Sequence, residues 1–89
     1  MVIKFFATLR DYTNTKETKV DKCETVEEFL KVLCQMYGKR FEQKIFVEGR
    51  LSSEIIILVN GRHITHCDGI NTKLSQEDEI SIFPVVAGG

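Results

Sequence analysis

The chain is short and nearly neutral: it has 89 residues, of which 43% are hydrophobic and 28% charged, and a formal net charge of -1. This length suits one small domain, and a charge near zero argues against a nucleic-acid-binding protein, which needs a basic face. No apolar run approaches the ~20 residues of a membrane span, and no signal-peptide pattern opens the chain. We therefore expect a cytoplasmic protein that binds neither nucleic acid nor membrane.

The cysteines and histidines do not form a metal-binding pattern. Cys23, Cys34 and Cys67 are an odd set without CxxC spacing, which fits a reducing compartment. We expect Cys34, in an apolar helical run, in the core and the other two thiols to be incidental. His63 and His66 lie three positions apart in a predicted strand, where such residues point to opposite faces. The two imidazoles should diverge, and no metal site is expected.

The first predicted element is a strand over residues 2–9, rich in branched and aromatic residues. Phe6 lies on its outward face, between a charged residue and a hydroxyl. Residues 11–15 form a polar turn, and residues 17–20 return as a second strand, so the chain opens with a hairpin. The alternating residues of the core face of the first strand are Ile3, Phe5, Ala7 and Leu9.

A helix follows with clear signals at both ends. Thr25 and Glu28 have the spacing of a capping box, and Gly38 supplies the stop. Residues 39–53 are less regular, and we expect a short helical turn that packs on the core through Phe41, Ile45 and Phe46. The apolar residues of the main helix at helical spacing are Val26, Phe29, Leu30, Leu33, Cys34 and Tyr37.

The second half of the chain reads as strands. Residues 54–59 are apolar at every position except the first, which predicts a central strand covered on both faces. Asn60-Gly61 is a strong hairpin signal leading into residues 62–64. Residues 76–79 form a polar turn before the last strand, residues 80–83, which Pro84 ends.

The order of elements predicts an α+β fold of the β-grasp, ubiquitin-like type. One main helix would cross one face of a mixed sheet in which the first and last strands are central neighbours. We expect the β-grasp domain to cover residues 1–84, and residues 85–89 to form a flexible tail that ends in Gly-Gly.

Gly88 and Gly89 close the sequence with two residues that have no side chain. Such a backbone can thread a tunnel that any Cβ would block. It also leaves the terminal carboxylate open to another protein's active site. We therefore expect this end of the chain to carry the chemistry.

An apolar patch is predicted on the outward face of the sheet. Because Ile80 and Ile82 take the core face of the last strand, Phe83 points outward. It then lies beside the outward Phe6 and half of the apolar strand 55–59. Exposed patches of this kind mark partner sites. The alternative is that residues 39–53 cover this face.

Three blocks in order, residues 5–10, 59–61 and 78–89, resemble the MoaD/ThiS group of sulfur carriers, which are prokaryotic relatives of ubiquitin. The similarity is greatest to the small subunit of molybdopterin synthase and covers essentially the whole chain. Two positions depart from the family pattern. His63 stands where an apolar residue is more common, and Val85 follows Pro84 where a second proline is common.

The resemblance implies a chain without catalytic machinery or bound cofactor of its own. An E1-like enzyme would use ATP-Mg to adenylate the Gly89 carboxylate. A sulfur donor protein would then convert it to a thiocarboxylate. The large subunit of molybdopterin synthase, in a heterotetramer, would use this sulfur to build the dithiolene of the molybdenum or tungsten cofactor. The residues implied in partner binding are Phe6, His63, Phe83, Pro84, Val85, Val86 and Ala87, with Gly88 next to the reacting Gly89.

Three other functions fit the same residues. The chain could carry sulfur for thiamine or another thio-metabolite, although thiamine carriers are usually shorter. It could be a ubiquitin-like modifier that joins Gly89 to a target lysine. It could also be a β-grasp interaction module with an inert tail.

Overall fold

The structure is a computed structural model, and it describes residues 1–21 and 23–85. Short 3-10 turns follow β1 (Ala7–Leu9) and β6 (Ile64–His66), and a third lies at Gly69–Asn71. None of the helices in these ranges is long and apolar enough to cross a membrane. The helices are α1 (Arg10–Thr13), α2 (Val26–Tyr37) and α3 (Lys39–Ile45), and the strands are β1 (Val2–Phe5), β2 (Glu17–Lys19), β3 (Phe46–Val47), β4 (Arg50–Leu51), β5 (Ile55–Val59), β6 (Arg62–His63) and β7 (Glu79–Pro84).

Five strands form one mixed sheet in the order β2-β1-β7-β5-β6, and β3 and β4 form a separate hairpin. The first and last strands are neighbours at its centre and run parallel, whereas the other pairs are antiparallel. The predicted N-terminal hairpin is confirmed by the pairing of β1 with β2. The architecture is the α+β, β-grasp arrangement predicted from the order of elements.

Helix α2 forms where the sequence predicts it and supplies most of one side of the core. The Thr25 hydroxyl accepts from the Glu28 N–H at 3.3 Å, as in a capping box. The Glu28 carboxylate, however, accepts from the Glu24 N–H at 3.1 Å rather than from Thr25. The helix ends at Gly38, whose φ of 91° favours glycine. Its fully buried side chains, each worth about 1.5–3 kcal/mol of burial, are Val26, Phe29, Leu30 and Leu33.

The first strand is shorter than predicted. It ends at Phe5, and Ala7 leaves the sheet in the left-handed region with φ 53°. The expectation that Ala7 faces the core is therefore wrong: this side chain is exposed, whereas Leu9 is fully buried. The chain turns because the Leu9 N–H donates back to the Phe6 carbonyl at 3.2 Å. Residues 11–13 of the predicted polar turn belong to α1 instead, which begins at Arg10.

The segment 39–53 packs on the inner side of the sheet. Phe41 and Ile45 are fully buried on α3, as the predicted helical turn requires. Phe46 belongs to β3 and not to the helix. The hairpin that joins β3 to β4 has a two-residue loop, Glu48-Gly49, in which both φ angles are positive. This is the geometry of a type I′ turn, which glutamate rarely adopts.

The Asn60-Gly61 hairpin is confirmed, with φ of 52° and 83°. Strand β5 is covered on one face only, which corrects the expectation of cover on both. Its inward residues are buried, whereas Ile56 and Leu58 are half-buried on the other face. Strand β7 ends at Pro84, as predicted, but Pro84 is itself part of the strand and is paired with Ile55.

Candidate partner-binding site

Two aromatic rings stack on the face of the sheet opposite α2. The Phe6 and Phe83 ring centroids are 4.3 Å apart, and the ring planes differ by 11°. The pairing explains the contact: the Phe6 N–H donates to the Ile82 carbonyl at 3.1 Å, which holds Phe6 next to β7. On the other side, Phe83 is paired with Ile56 of β5. Phe6, Phe83 and Ile56 thus form one apolar row across three neighbouring segments.

A second row lies beside the first. Ser81 of β7 is paired with Lys4 on one side and Leu58 on the other, and Leu58 is paired with His63. Directly paired residues point to the same face of a sheet. The structure therefore brings His63 to the same face as Phe6 and Phe83, at the β6 edge of the second row. We call the residues Phe6, Ile56, Leu58 and Phe83 the outer patch.

The outer patch is left uncovered by the helices. All four of its side chains are half-buried, whereas the residues of β1 and β5 that point to the other face are buried. Helix α3 packs against α2 and α1, and its Phe41 ring contacts Phe5 on the inner face. Residues 51–53 of the same segment, however, line a depression together with Ile56 and His63, so the alternative that residues 39–53 cover this face holds in part, at the Ile56 end of the patch. Uncovered apolar side chains on neighbouring strands mark an interaction surface.

Arg10 adds a charge to the patch that sequence reasoning did not single out. Its Nε donates to the Phe5 carbonyl at 2.9 Å, and its guanidinium carbon lies 5.7 Å from the Phe6 ring centroid. This distance is within cation–π range. Phe6 and Arg10 are four positions apart, the spacing of neighbours on a helix, but this signal was hidden because the sequence predicts a strand over residues 2–9.

An ion pair lies at the rim of the patch. The Lys4 ammonium is 3.0 Å from the Glu79 carboxylate, and both side chains are substantially exposed. The hydrogen bond to Glu79 and its negative charge raise the pKa of Lys4. Exposed pairs of this kind contribute little to stability. In this pair, the charge of Lys4 in the second row is balanced by Glu79 of the same chain.

The two histidines are arranged differently from the prediction. Residues 64–66 form a 3-10 turn, which brings residues three apart onto one side. The His63 and His66 ring centroids are therefore 6.2 Å apart and perpendicular, where divergence was expected. The His63 Nδ1 accepts from the Thr65 N–H at 3.1 Å and lies 2.9 Å from its hydroxyl. No cluster of three or more side chains positioned to hold a metal ion occurs among the described residues.

The cysteine thiols are poorly suited to nucleophilic chemistry. Burial, with a smaller effect from Glu42, raises the pKa of Cys34 to about 11, and burial also raises the pKa of Cys23. Both side chains are in the core, as predicted for Cys34 but not for Cys23. Because the thiolate is the reactive form, neither thiol is activated at neutral pH.

Strand β7 leads directly from the patch to the predicted tail. Pro84 is half-buried, Val85 is exposed, and the Val85 N–H donates to the Glu54 carbonyl at 2.6 Å. The remaining predicted site residues, Val86, Ala87, Gly88 and Gly89, lie outside the described residues. The six residues past Phe83 span at most about 20 Å when extended, which sets the upper limit on the distance between Phe83 and Gly89.

Comparison with known proteins identifies relatives along the whole chain. The model of the ThiS family matches residues 3–89, a range that includes Gly88 and Gly89. An Archaeoglobus fulgidus protein that is named as a sulfur carrier protein is 42% identical over 65 residues, which are 73% of this chain and 74% of that protein. Small archaeal modifier protein 3 of Haloferax volcanii is 35% identical over 98% of this chain and 96% of its own length.

A solved structure has the same fold and a similar sequence. The solution structure of small archaeal modifier protein 1 from Methanosarcina acetivorans has a TM-score of 0.88 and 36% identity to this chain. The match covers 99% of this chain and 94% of that one. The relatives thus carry two kinds of name, sulfur carrier and protein modifier.

Proposed function

The chain belongs to the ThiS family, and from this premise we propose that it carries sulfur as a thiocarboxylate on Gly89 for molybdopterin biosynthesis. The observation that supports this most is the uncovered outer patch on the strand that runs into the Gly-Gly end. A carrier must be held by an enzyme while its end reacts in that enzyme's active site. The patch provides the surface for holding it, and residues 84–89 provide the reach.

The activation chemistry would be supplied by an E1-like partner with ATP-Mg. The Gly89 carboxylate oxygen attacks the α-phosphorus of ATP, and pyrophosphate leaves. A persulfide or sulfide then attacks the carbonyl carbon of the acyl-adenylate, and AMP leaves with the electrons of the broken C–O bond. With a persulfide donor, a reductant must also cleave the S–S bond. A carboxylate needs this sequence because it is a poor electrophile until its oxygen becomes part of a leaving group.

This chain itself would supply a surface that docks on the partner, a segment that reaches the partner's active site, and a C-terminal end without side chains. The outer patch binds the activating enzyme, and the same patch binds the large subunit in the next step, so the two partners compete. Gly88 and Gly89 pass through a channel too narrow for a Cβ. The need for ATP places the protein in the cytoplasm.

Among the pathways that could receive the sulfur, molybdopterin synthesis is favoured by the Phe83-Pro84 pair before the Gly-Gly residues. In that pathway the large subunit would form a heterotetramer with two copies of this chain. The thiocarboxylate sulfur would attack a carbon of the pterin substrate, whose C–O bond breaks. Water would then hydrolyse the acyl–sulfur bond, so that the sulfur stays on the pterin and the Gly89 carboxylate is restored. Thiamine, another thio-metabolite and the tungsten cofactor are the other acceptors of the same chemistry.

A second candidate function is protein modification, and the names of two relatives favour it. The acyl-adenylate of Gly89 is common to both functions. In a modifier, the amine of a target lysine ends up bonded to the Gly89 carbonyl carbon. The product is an isopeptide-linked conjugate and not a thiocarboxylate.

Intact-mass spectrometry after incubation with ATP-Mg, sulfide and the activating enzyme of the same host tests the proposal. We expect a mass gain equal to the exchange of one oxygen for sulfur, mapped to Gly89. Conjugates of higher mass in the host, with no thiocarboxylate, would show a modifier. No change with an enzyme that adenylates another carrier would overturn both functions.

Deletion of Gly89, or Gly88→Phe, is expected to abolish this mass gain because the channel and the reacting carboxylate are both affected. The unfolding free energy should stay within about 0.5 kcal/mol of wild type, as for other changes outside the core. A deletion variant that still accepts sulfur would contradict the assignment of Gly89.

A further inference from the structure

Beside the outer patch lies a cation, Arg10, whose charge is not balanced within the described chain. Lys4 is paired with Glu79. The Arg10 guanidinium forms no ion pair with any carboxylate of residues 1–21 or 23–85. Arg10 is also half-buried, so its charge is partly removed from water before any partner binds.

The Arg10 side chain is held in place from two sides. Its Nε–H is used by the Phe5 carbonyl, and the flat guanidinium lies near the Phe6 ring. The left-handed Ala7, with φ 53°, turns the chain so that Arg10 comes back over Phe6. Residues with a Cβ rarely adopt this conformation, so the turn at Ala7 is held by its surroundings. A guanidinium has five N–H donors, so the four on the two Nη atoms remain for a ligand.

We propose that Arg10 is the charged anchor of the outer patch and binds a carboxylate of the activating partner. This inference rests on the proposed function and names the chemistry of the partner surface. The partner would present an aspartate or glutamate flanked by apolar side chains. The carboxylate takes two parallel N–H bonds from Arg10, and the apolar side chains cover Phe6 and Phe83.

Binding of a partner would remove water from the Arg10 guanidinium, which is why the partner would need a carboxylate. A partner that covers Phe6 must also remove water from the guanidinium beside it. A charge buried in an interface without a counter-charge opposes binding, whereas a paired one fixes the orientation of the complex. A planar guanidinium with both Nη atoms free matches the two oxygens of a carboxylate.

A nucleotide phosphate fits this site less well than a carboxylate. The other side chains of the patch, Phe6, Ile56, Leu58 and Phe83, are all apolar. The nearby Lys4 is already paired. A phosphate would therefore meet a single cation among apolar groups, with most of its oxygens unsatisfied.

Calorimetric titration of the activating enzyme with wild-type protein, Arg10→Gln and Arg10→Lys tests the proposal. We expect Arg10→Gln to weaken binding at least tenfold at low salt and to reduce its salt dependence, because one desolvated ion pair is lost. Arg10→Lys keeps the charge but loses the two-pronged geometry and should fall between the two. Arg50→Gln, the same change at an exposed site on β4, should stay within about twofold of wild type.

A double-mutant cycle excludes a purely structural role for Arg10. Replacing the partner's acidic residue by alanine should remove most of the difference between wild type and Arg10→Gln. Normal binding by Arg10→Gln, with Phe83→Lys binding weakened, would overturn this inference and leave the docking patch intact. Normal binding by Phe83→Lys as well would contradict the proposed docking itself. A shift of the Arg10 side-chain NMR signal on adding pyrophosphate alone would assign the site to phosphate.

Discussion

The two faces of the central sheet are both apolar, yet only one is a core. On the inner face Ile3, Phe5, Ile57 and Ile82 are 0% exposed. On the outer face the residues next to them in sequence, the outer patch, are half-buried. Neighbouring positions of the same segments supply both sets. The difference comes from α2 and α3, which cover the inner face only.

This contrast separates stability from binding on a single sheet. Inner side chains lose all their contact with water within the chain, so their burial contributes to folding. Outer side chains keep part of their exposed area until a partner covers it. A substitution on the inner face should therefore change the free energy of unfolding. One on the outer face should change affinity.

The largest expected effect is in the core between α2 and the inner face of the sheet. Phe29→Ala should lower the free energy of unfolding by about 3–5 kcal/mol, because it leaves a cavity in a fully buried site. The matched Phe83→Ala should cost less than about 1.5 kcal/mol, mainly from the lost stacking with Phe6. Urea denaturation of both variants measures this difference. Equal losses would show that the outer patch is part of the core.

A charged substitution in the outer patch should lower the affinity for the activating enzyme more than it lowers stability. Phe83→Lys is expected to weaken binding of the activating enzyme at least tenfold, or about 1.4 kcal/mol, while stability changes by less. The reason is that a lysine ammonium would be buried against an apolar partner surface. Calorimetry beside denaturation compares the two quantities, and a variant with unchanged affinity would refute the patch as a docking site.

A core thiol on α2 makes the stability of the protein depend on pH in the alkaline range. Burial raises the pKa of Cys34 in the folded protein to about 11 from 9.0. Below pH 9 the thiol is protonated in both states, and its contribution to stability is complete. Above pH 9 the thiol ionises first in the unfolded chain, so this contribution falls and is lost as the pH rises through 11. We expect Cys34 to account for a loss of on the order of 1 kcal/mol by pH 10.5.

Denaturation of wild type and Cys34→Ala at pH 8 and pH 10.5 checks this. Cys34→Ala should have a smaller drop between the two pH values than wild type. An identical drop in both proteins would contradict the effect of burial on Cys34.

The smallest expected effect lies away from both faces, in the β3–β4 hairpin. Glu48→Asn should raise the free energy of unfolding by about 0.5–1 kcal/mol, because asparagine tolerates the φ of 52° better than glutamate. A thermal melt is sensitive enough to detect it. A lower melting temperature would mean that Glu48 has an interaction that outweighs its backbone strain.

Elements with strong local signals were predictable from the sequence. Helix α2 has a capping residue, helical apolar spacing and a glycine stop, and Asn60-Gly61 has the residues that its turn requires. Ala7 and Glu48 could not be predicted, since alanine and glutamate rarely adopt positive φ. Their conformations depend on packing that forms elsewhere in the chain.

The candidate site was only partly predictable. Strand alternation placed Phe6 and Phe83 on one face, and the register brings their rings into contact. Arg10 was missed because its position depends on the early end of β1 at Phe5. The His63–His66 contact was missed because a 3-10 turn replaces the expected strand.

The most direct test of the account is a time course of thiocarboxylate formation on wild type and Phe83→Lys, followed by intact mass. Both proteins would be incubated with the host's activating enzyme, ATP-Mg and sulfide, and their folding checked by denaturation. We predict conversion of wild type at Gly89 and at least tenfold slower conversion of a folded Phe83→Lys. Equal rates for the two folded proteins would contradict the claim that the uncovered face docks the enzyme that acts on Gly89.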